Sequence, residues 1–315
     1  MRHFRRLSAA AVLLVDCAII ACSAPPPLAP LATATSRRLP PVASGDNVAL
    51  AGHFDPPGRT GTAQMPDARQ PFMTPERLAR GYTIVVVGVN GDNFLSAGLA
   101  RGLVEGGYPG AVDVVDWTTG HWPLFLYHLR AGSLHRAGAQ SIADKIADYR
   151  ERYPGREVNV VGFSAGAVVA AEAVGGLAAG QEVDRVIFLA GAMSPLYDLR
   201  PVFARARLGV WSYYQPQDVV ALWTGTLLAG TADGQHIVSA GAVGFWPRPG
   251  ASESERQLYR DKLVQVPYRL EMAADGNLGG HFQCVGRKFV AQWIAPLVSA
   301  APGAVAAQHR AAHSR

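Results

Sequence analysis

Residues 158–174 read VNVVGFSAGAVVAAEAV, an apolar run rich in valine that breaks at Gly-Phe-Ser-Ala-Gly and resumes as an Ala/Val-rich stretch. The first part has the composition of a buried strand and the second that of a buried helix. One hydroxyl, Ser164, stands at the junction. A serine there can simply cap the helix. It can also be a nucleophile on a strained strand-to-helix turn, the arrangement that G-x-S-x-G encodes when a strand precedes it and a helix follows. The five-residue pattern is short, so its surroundings must decide.

Those surroundings alternate. Upstream, YTIVVVGV (82–89) predicts a strand, NGDN (90–93) a turn, FLSAGLARGLVEGG (94–107) a helix and AVDVVDW (111–117) a second strand. AQSIADKIADYRERYPG (139–155) follows as an amphipathic helix with a Pro-Gly stop. Downstream, VDRVIFLAG (183–191), RLGVWSYYQPQD (207–218) and KLVQVPYRLEM (262–272) predict three more strands, and HFQCVGRKFVAQWIAPL (281–297) a last helix. Fully apolar strands alternating with helices imply an α/β domain with a predominantly parallel central sheet and helices on both faces. Ser164 then lies at the carboxyl end of a central strand, the edge where open α/β sheets bind ligands.

The chain of 315 residues carries a formal charge of +5, but five of its arginines fall within the first 38 residues. The body is nearly neutral, which argues against nucleic-acid binding. MRHFRR followed by LSAAAVLLVDCAIIA has the layout of an export signal, and IIAC (19–22) resembles a bacterial lipobox that would acylate Cys22. The expected division is a signal and lipobox over 1–22, a Pro/Ala-rich tether over 23–78, the α/β domain over 79–300 and a tail over 301–315. That layout implies export to a bacterial cell envelope, with membrane contact through the lipid anchor alone. Past the leader only Cys284 remains, so no disulfide framework is expected.

The strand order, GFSAG, and an acid and a histidine following the serine resemble the α/β-hydrolase superfamily over roughly residues 80–298. The resemblance implies the chain order serine, acid, histidine, with the histidine on a loop before the final helix. His281, in DGNLGGHFQC, occupies such a place, with His236 as its competitor. For the acid it implies Asp218, directly after YYQPQ, with Asp198 one strand earlier as the alternative and Asp233 less favoured. The oxyanion donors implied are the N–H of Ala165 and one from the loop after the first strand, Val89 or Asn90. The superfamily often has His-Gly in that loop, whereas this chain has Val87-Gly88. The reaction implied is cleavage of an ester or related acyl bond in a small-molecule substrate, through an acyl-enzyme.

Two long connections, 116–138 and 219–260, are rich in aromatic residues and glycine, and loops of that length are usually functional. Trp117, Trp122, Phe125, Trp223 and Phe245 are candidate pocket walls. His121, His128 and His135 recur every seven residues, but Gly132 interrupts the series and no carboxylate lies among them, so no metal site is expected. No G-x-G-x-x-G spacing is present, and no cofactor is expected. A non-catalytic envelope protein that keeps the fold for binding or scaffolding is the competing reading.

Overall fold

The computed structural model describes residues 72–218, 221, 222 and 225–301. Six parallel strands form one sheet in the order β2-β1-β3-β4-β5-β6. They are β1 Tyr82–Val86, β2 Ala111–Val115, β3 Val158–Phe163, β4 Val183–Leu189, β5 Ala206–Tyr214 and β6 Leu263–Pro267. Every residue of β1, β3 and β4 is buried, as strands covered on both faces must be. The registers Val86↔Gly162, Phe163↔Leu189 and Leu189↔Tyr213 bring the strands to a common carboxyl edge. The chain winds one way from β1 to β2 and the other way from β3 onward. The topological switch therefore falls between β1 and β3, the position at which open α/β sheets bind ligands.

The helices close the faces. α1 (Phe94–Glu105) begins with a capping box between Asn93 and Ser96. α2 (Gly132–Arg152) buries Ala139, Ile142, Ile146 and Tyr149, a stripe at helical spacing. α3 (Gly166–Gly175) is buried nearly all round, since it is sandwiched between the sheet and α2. α4 (Glu253–Lys262) precedes β6 and is polar except for Leu258 and buried Tyr259. The C-terminal segment runs Arg287–Phe289, a π-helical turn Val290–Ile294, then Ala295–Ser299. The irregular turn ends where Pro296, which has no N–H to donate, enters the next stretch.

Several expected boundaries shift. Residues 72–78 fall within the expected tether, yet Leu78 is fully buried and its carbonyl accepts from the Tyr149 hydroxyl at 2.6 Å. The connection 116–138 already contains a helix, Phe125–Arg130, and the start of α2. The connection 219–260 contains most of α4. Cys22, most of the expected tether and residues 302–315 lie outside the described residues.

Two buried charges sit at the amino ends of the strands, away from Ser164. Asp184 accepts from the Val158 N–H at 2.7 Å and from Arg150 at 3.0 Å. Arg185 donates to Glu157 at 3.0 Å and to Asn159 at 3.2 Å. Both are engaged by protein partners at the strand ends, although the Arg185 Nε stays buried without one.

Candidate active site

At the tip of β3 the backbone of Ser164 takes φ 54°, a left-handed conformation that a side-chain-bearing residue rarely adopts. Such a residue costs about 1–3 kcal/mol and persists only where its neighbours over-determine it. Here they do. The Ser164 N–H donates to Leu189 O at 3.0 Å, and the Ser164 carbonyl accepts from Ala192 N and Ala167 N at 3.1 Å each. The tip of the adjacent strand, where Ala190 itself has φ 47°, thus clamps the serine peptide from both sides.

The flanking glycines are required by space. A Cβ on Gly162 would lie 2.7 Å from Ala167 Cα, and one on Gly166 would lie 2.3 Å from Val87 O. Both contacts are to backbone, so neither can relax by rotating a side chain. Gly162→Ala should therefore push α3 off β3, costing about 1–3 kcal/mol. Because the same shift displaces Ser164, ester turnover should fall by roughly 10²-fold. Thermal melting and the initial rate on a soluble ester read the two effects separately. An unchanged rate would show that the close packing does not set the serine's position.

Three side chains converge at this edge although the chain separates them widely. His281 Nε2 lies 3.0 Å from Ser164 Oγ, and His281 Nδ1 lies 2.8 Å from Asp218 Oδ2. All three residues are buried. A carboxylate can only accept, so the proton rides on Nδ1 and leaves Nε2 free to accept from the serine hydroxyl. The other carboxylate oxygen, Asp218 Oδ1, accepts from the Ala221 N–H at 3.0 Å. The imidazole packs against Phe163 and Phe282, with ring centroids 5.2 and 5.1 Å away. Cys284 lies beneath, donating to the His281 carbonyl at 3.2 Å. Burial, with the Asp218 charge adding to it, pushes that thiol well above its ordinary range, so it stays protonated and is a poor nucleophile.

The alternatives for these roles lie elsewhere. Asp198 pairs with Arg200 at 2.6 Å, and that bond holds its carboxyl below the usual range. Asp233 accepts from the Ser194 N–H at 2.9 Å. His236 is exposed, 3.3 Å from the Leu227 carbonyl and 3.4 Å from Arg130.

Ala165 is the N-cap residue of α3, and its N–H is among the amides a helix start leaves without intrahelical partners. Across the switch point, the chain after β1 turns at Gly88–Gly91, closed by the Gly91 N–H on Gly88 O at 3.1 Å. Val89 and Asn90 sit half-buried at the crown of this turn. A Cβ built on Gly88 would touch Ser164 Cβ at 3.3 Å, so this loop passes directly beside the serine.

The loop is held by residues the sequence reading did not place there. The buried His128 ring has Nδ1 2.8 Å from the Val89 carbonyl and Nε2 2.8 Å from Thr119 Oγ1. A carbonyl accepts, so Nδ1 carries the proton and Nε2 takes the threonine hydroxyl. Asp116 accepts from the Asp92 N–H at 2.9 Å. The Trp117 indole N–H donates to Val87 O at 2.7 Å. Trp117 is therefore a buried prop beneath the loop rather than an open pocket wall. His135 does not share a metal site with His128: its Nε2 donates to the His128 carbonyl at 2.8 Å.

The other aromatic candidates occupy different settings. Phe245 is buried in the core with its ring 5.9 Å from that of Phe188. Trp122 and Phe125 are exposed. Trp223 lies outside the described residues. Aromatic content had marked these segments as special without telling prop, core and surface apart.

The carboxyl edge of an all-parallel α/β sheet thus carries a serine, a histidine and a carboxylate hydrogen-bonded in series. No protein-family model matches the chain, and no curated protein does. Among solved structures, a lipase-esterase related protein from Clostridium acetobutylicum ATCC 824 aligns over 68% of this chain and 93% of its own, at 11% identity and a TM-score of 0.37. RedJ, solved with a PEG molecule bound in its active site, aligns over 78% of this chain and 95% of its own, at 15% identity and a TM-score of 0.36. What the site can do chemically follows from its own side chains.

Proposed function

We propose that the chain is a serine hydrolase that cleaves an ester or related acyl bond through an acyl-enzyme, with Ser164, His281 and Asp218 as nucleophile, base and orienting acid. The observation that carries this reading is the continuous hydrogen-bonded path from Asp218 through His281 to a serine hydroxyl on a strained backbone. A serine hydroxyl is a weak nucleophile at neutral pH until a positioned base takes its proton.

In the forward step Ser164 Oγ bonds to the acyl carbon while its proton passes to His281 Nε2. Asp218 stabilises the imidazolium that forms. Charge develops on the former carbonyl oxygen, where the N–H of Ala165 and that of Val89 or Asn90 are the donors proposed to meet it. Collapse breaks the bond to the leaving group, which departs with the proton from His281. A water molecule, deprotonated by His281, then attacks the acyl-enzyme. The products are a carboxylic acid and a regenerated Ser164.

A fluorophosphonate probe tests the nucleophile directly. It should label the wild-type protein and fail to label Ser164→Ala, because phosphonylation needs the activated hydroxyl. Labelling that survives in the variant would remove Ser164 from the mechanism. We also propose, from the lipobox-like IIAC alone, that Cys22 is acylated and tethers the enzyme in a bacterial envelope. The mass of the mature N-terminus reads this out.

A further inference from the structure

Two short helices over the carboxyl edge of the sheet are built inside out. In Phe125–Arg130, sequence FLYHLR, the one buried residue is the polar His128. In Thr226–Ala229, sequence TLLA, the one buried residue is Thr226, whose hydroxyl donates to Leu222 O at 2.6 Å. Leu129 packs partly against the core, but the other large apolar side chains point outward: Phe125, Leu126 and Tyr127 from the first, preceded by exposed Trp122 and Leu124, and Leu227 and Leu228 from the second. Leu126 is 54% exposed and Leu228 74%. An ordinary surface helix does the reverse, burying its apolar stripe and wetting its polar face.

The helices meet, because Arg130 Nη1 donates to Ala229 O at 3.0 Å. One leaves β2 and the other leaves β5, so both overlie the edge that carries Ser164. The polar contacts that inverted the first helix are the same ones that grip the Val89 carbonyl. Burying His128 to brace that loop turns the apolar side chains to the outside. Contiguous exposed apolar patches mark contact surfaces.

We infer that this face docks onto an anionic lipid surface. Charge selects that occupant. Residues 117–143 contain no aspartate or glutamate, and residues 222–252 contain only Asp233, which is engaged by Ser194. Exposed His121 and Arg130 lie beside the apolar side chains, and Trp122 and Tyr127 supply the aromatic type favoured at a membrane–water boundary. Apolar side chains enter the headgroup boundary while basic ones meet lipid phosphates. No helix among the described residues is long and apolar enough to span a bilayer, so the contact is peripheral. The inference concerns a surface distinct from the three converging side chains and stands apart from the reaction they perform.

The test uses the full chain with Cys22→Ser, which removes the proposed acylation site, sedimented with phosphatidylcholine vesicles with and without phosphatidylglycerol. Phosphatidylglycerol should raise the bound fraction. Adding Leu126→Asp and Leu228→Asp should weaken binding by about tenfold or more while turnover of a short soluble ester is retained. Undiminished binding in that variant overturns the proposal, as does indifference to phosphatidylglycerol. So does a dimer of the parent that the variant splits, since a second copy would then cover the face. Should the variant lose its melting transition, brominated lipid decides: quenching of tryptophan emission must shrink with Trp122→Phe, and quenching that does not shrink sinks the idea. Ser164→Ala should bind vesicles as its parent does, so an absence of esterase activity leaves this result unaffected.

Discussion

His281→Ala should lower turnover of a soluble p-nitrophenyl ester by roughly 10⁴-fold or more, since groups acting as a unit lose nearly everything when one is removed. The loss belongs in kcat. His281 Nε2 is hydrogen-bonded to the hydroxyl that must lose its proton, 3.0 Å away. KM on a small substrate should stay within a few-fold, because the acyl group would contact neighbouring surfaces rather than the ring. Fluorophosphonate labelling should slow in parallel, which ties the loss to the serine and not to substrate entry. The buried ring also packs against Phe163 and Phe282, so its removal leaves a cavity. A modest drop in melting temperature is expected beside the kinetic defect. A variant retaining a tenth or more of the parent rate would mean another group takes the proton.

The parallel sheet was legible because its strands are apolar on both faces, and short all-apolar segments alternating with helical ones admit few other arrangements. The site was legible for a related reason. The tip of β3 demanded Gly162 and Gly166 for space, and that spacing is written in five consecutive residues. Asp218 and His281 lie 63 residues apart and were reached through the chain order the resemblance implied, not through any periodicity.

The supports of the loop beside Ser164 left no such trace. His128 reaches Val89 across 39 positions, and Trp117 reaches Val87 across 30. Both contacts join a side chain to a backbone carbonyl, and a carbonyl imprints nothing on the residue that carries it. The same blindness affected the aromatic residues. Phe245 in the core, Trp117 under a loop and Phe125 on the surface are alike in hydropathy, and only a tertiary partner separates them. His128 was the available clue, a polar residue inside an apolar run. Its burial inverted the helix around it.

Asp218→Asn tests the orientation of the base more sharply than any deletion, because the surroundings dictate which way the new amide must point. Oδ1 of the carboxylate accepts from the Ala221 N–H and Oδ2 faces His281 Nδ1. An asparagine can place its single carbonyl oxygen at one of these positions only. With the oxygen toward His281, its NH₂ would confront the Ala221 N–H, donor against donor, in a buried site. The favourable arrangement keeps the oxygen on Ala221 and turns the NH₂ toward the imidazole. Nδ1 must then accept, the ring proton moves to Nε2, and Nε2 can no longer take the proton of Ser164. The expected loss is about 10⁴-fold in kcat, with little change in KM or in melting temperature, since shape and packing are preserved. Asp198→Asn, altering a carboxylate occupied by Arg200, should leave the rate within about twofold, as a surface ion pair contributes little. Initial rates of the two variants, measured side by side on the same ester, decide which acid serves the histidine. Near-normal turnover in Asp218→Asn, or a collapse confined to Asp198→Asn, would reassign the role.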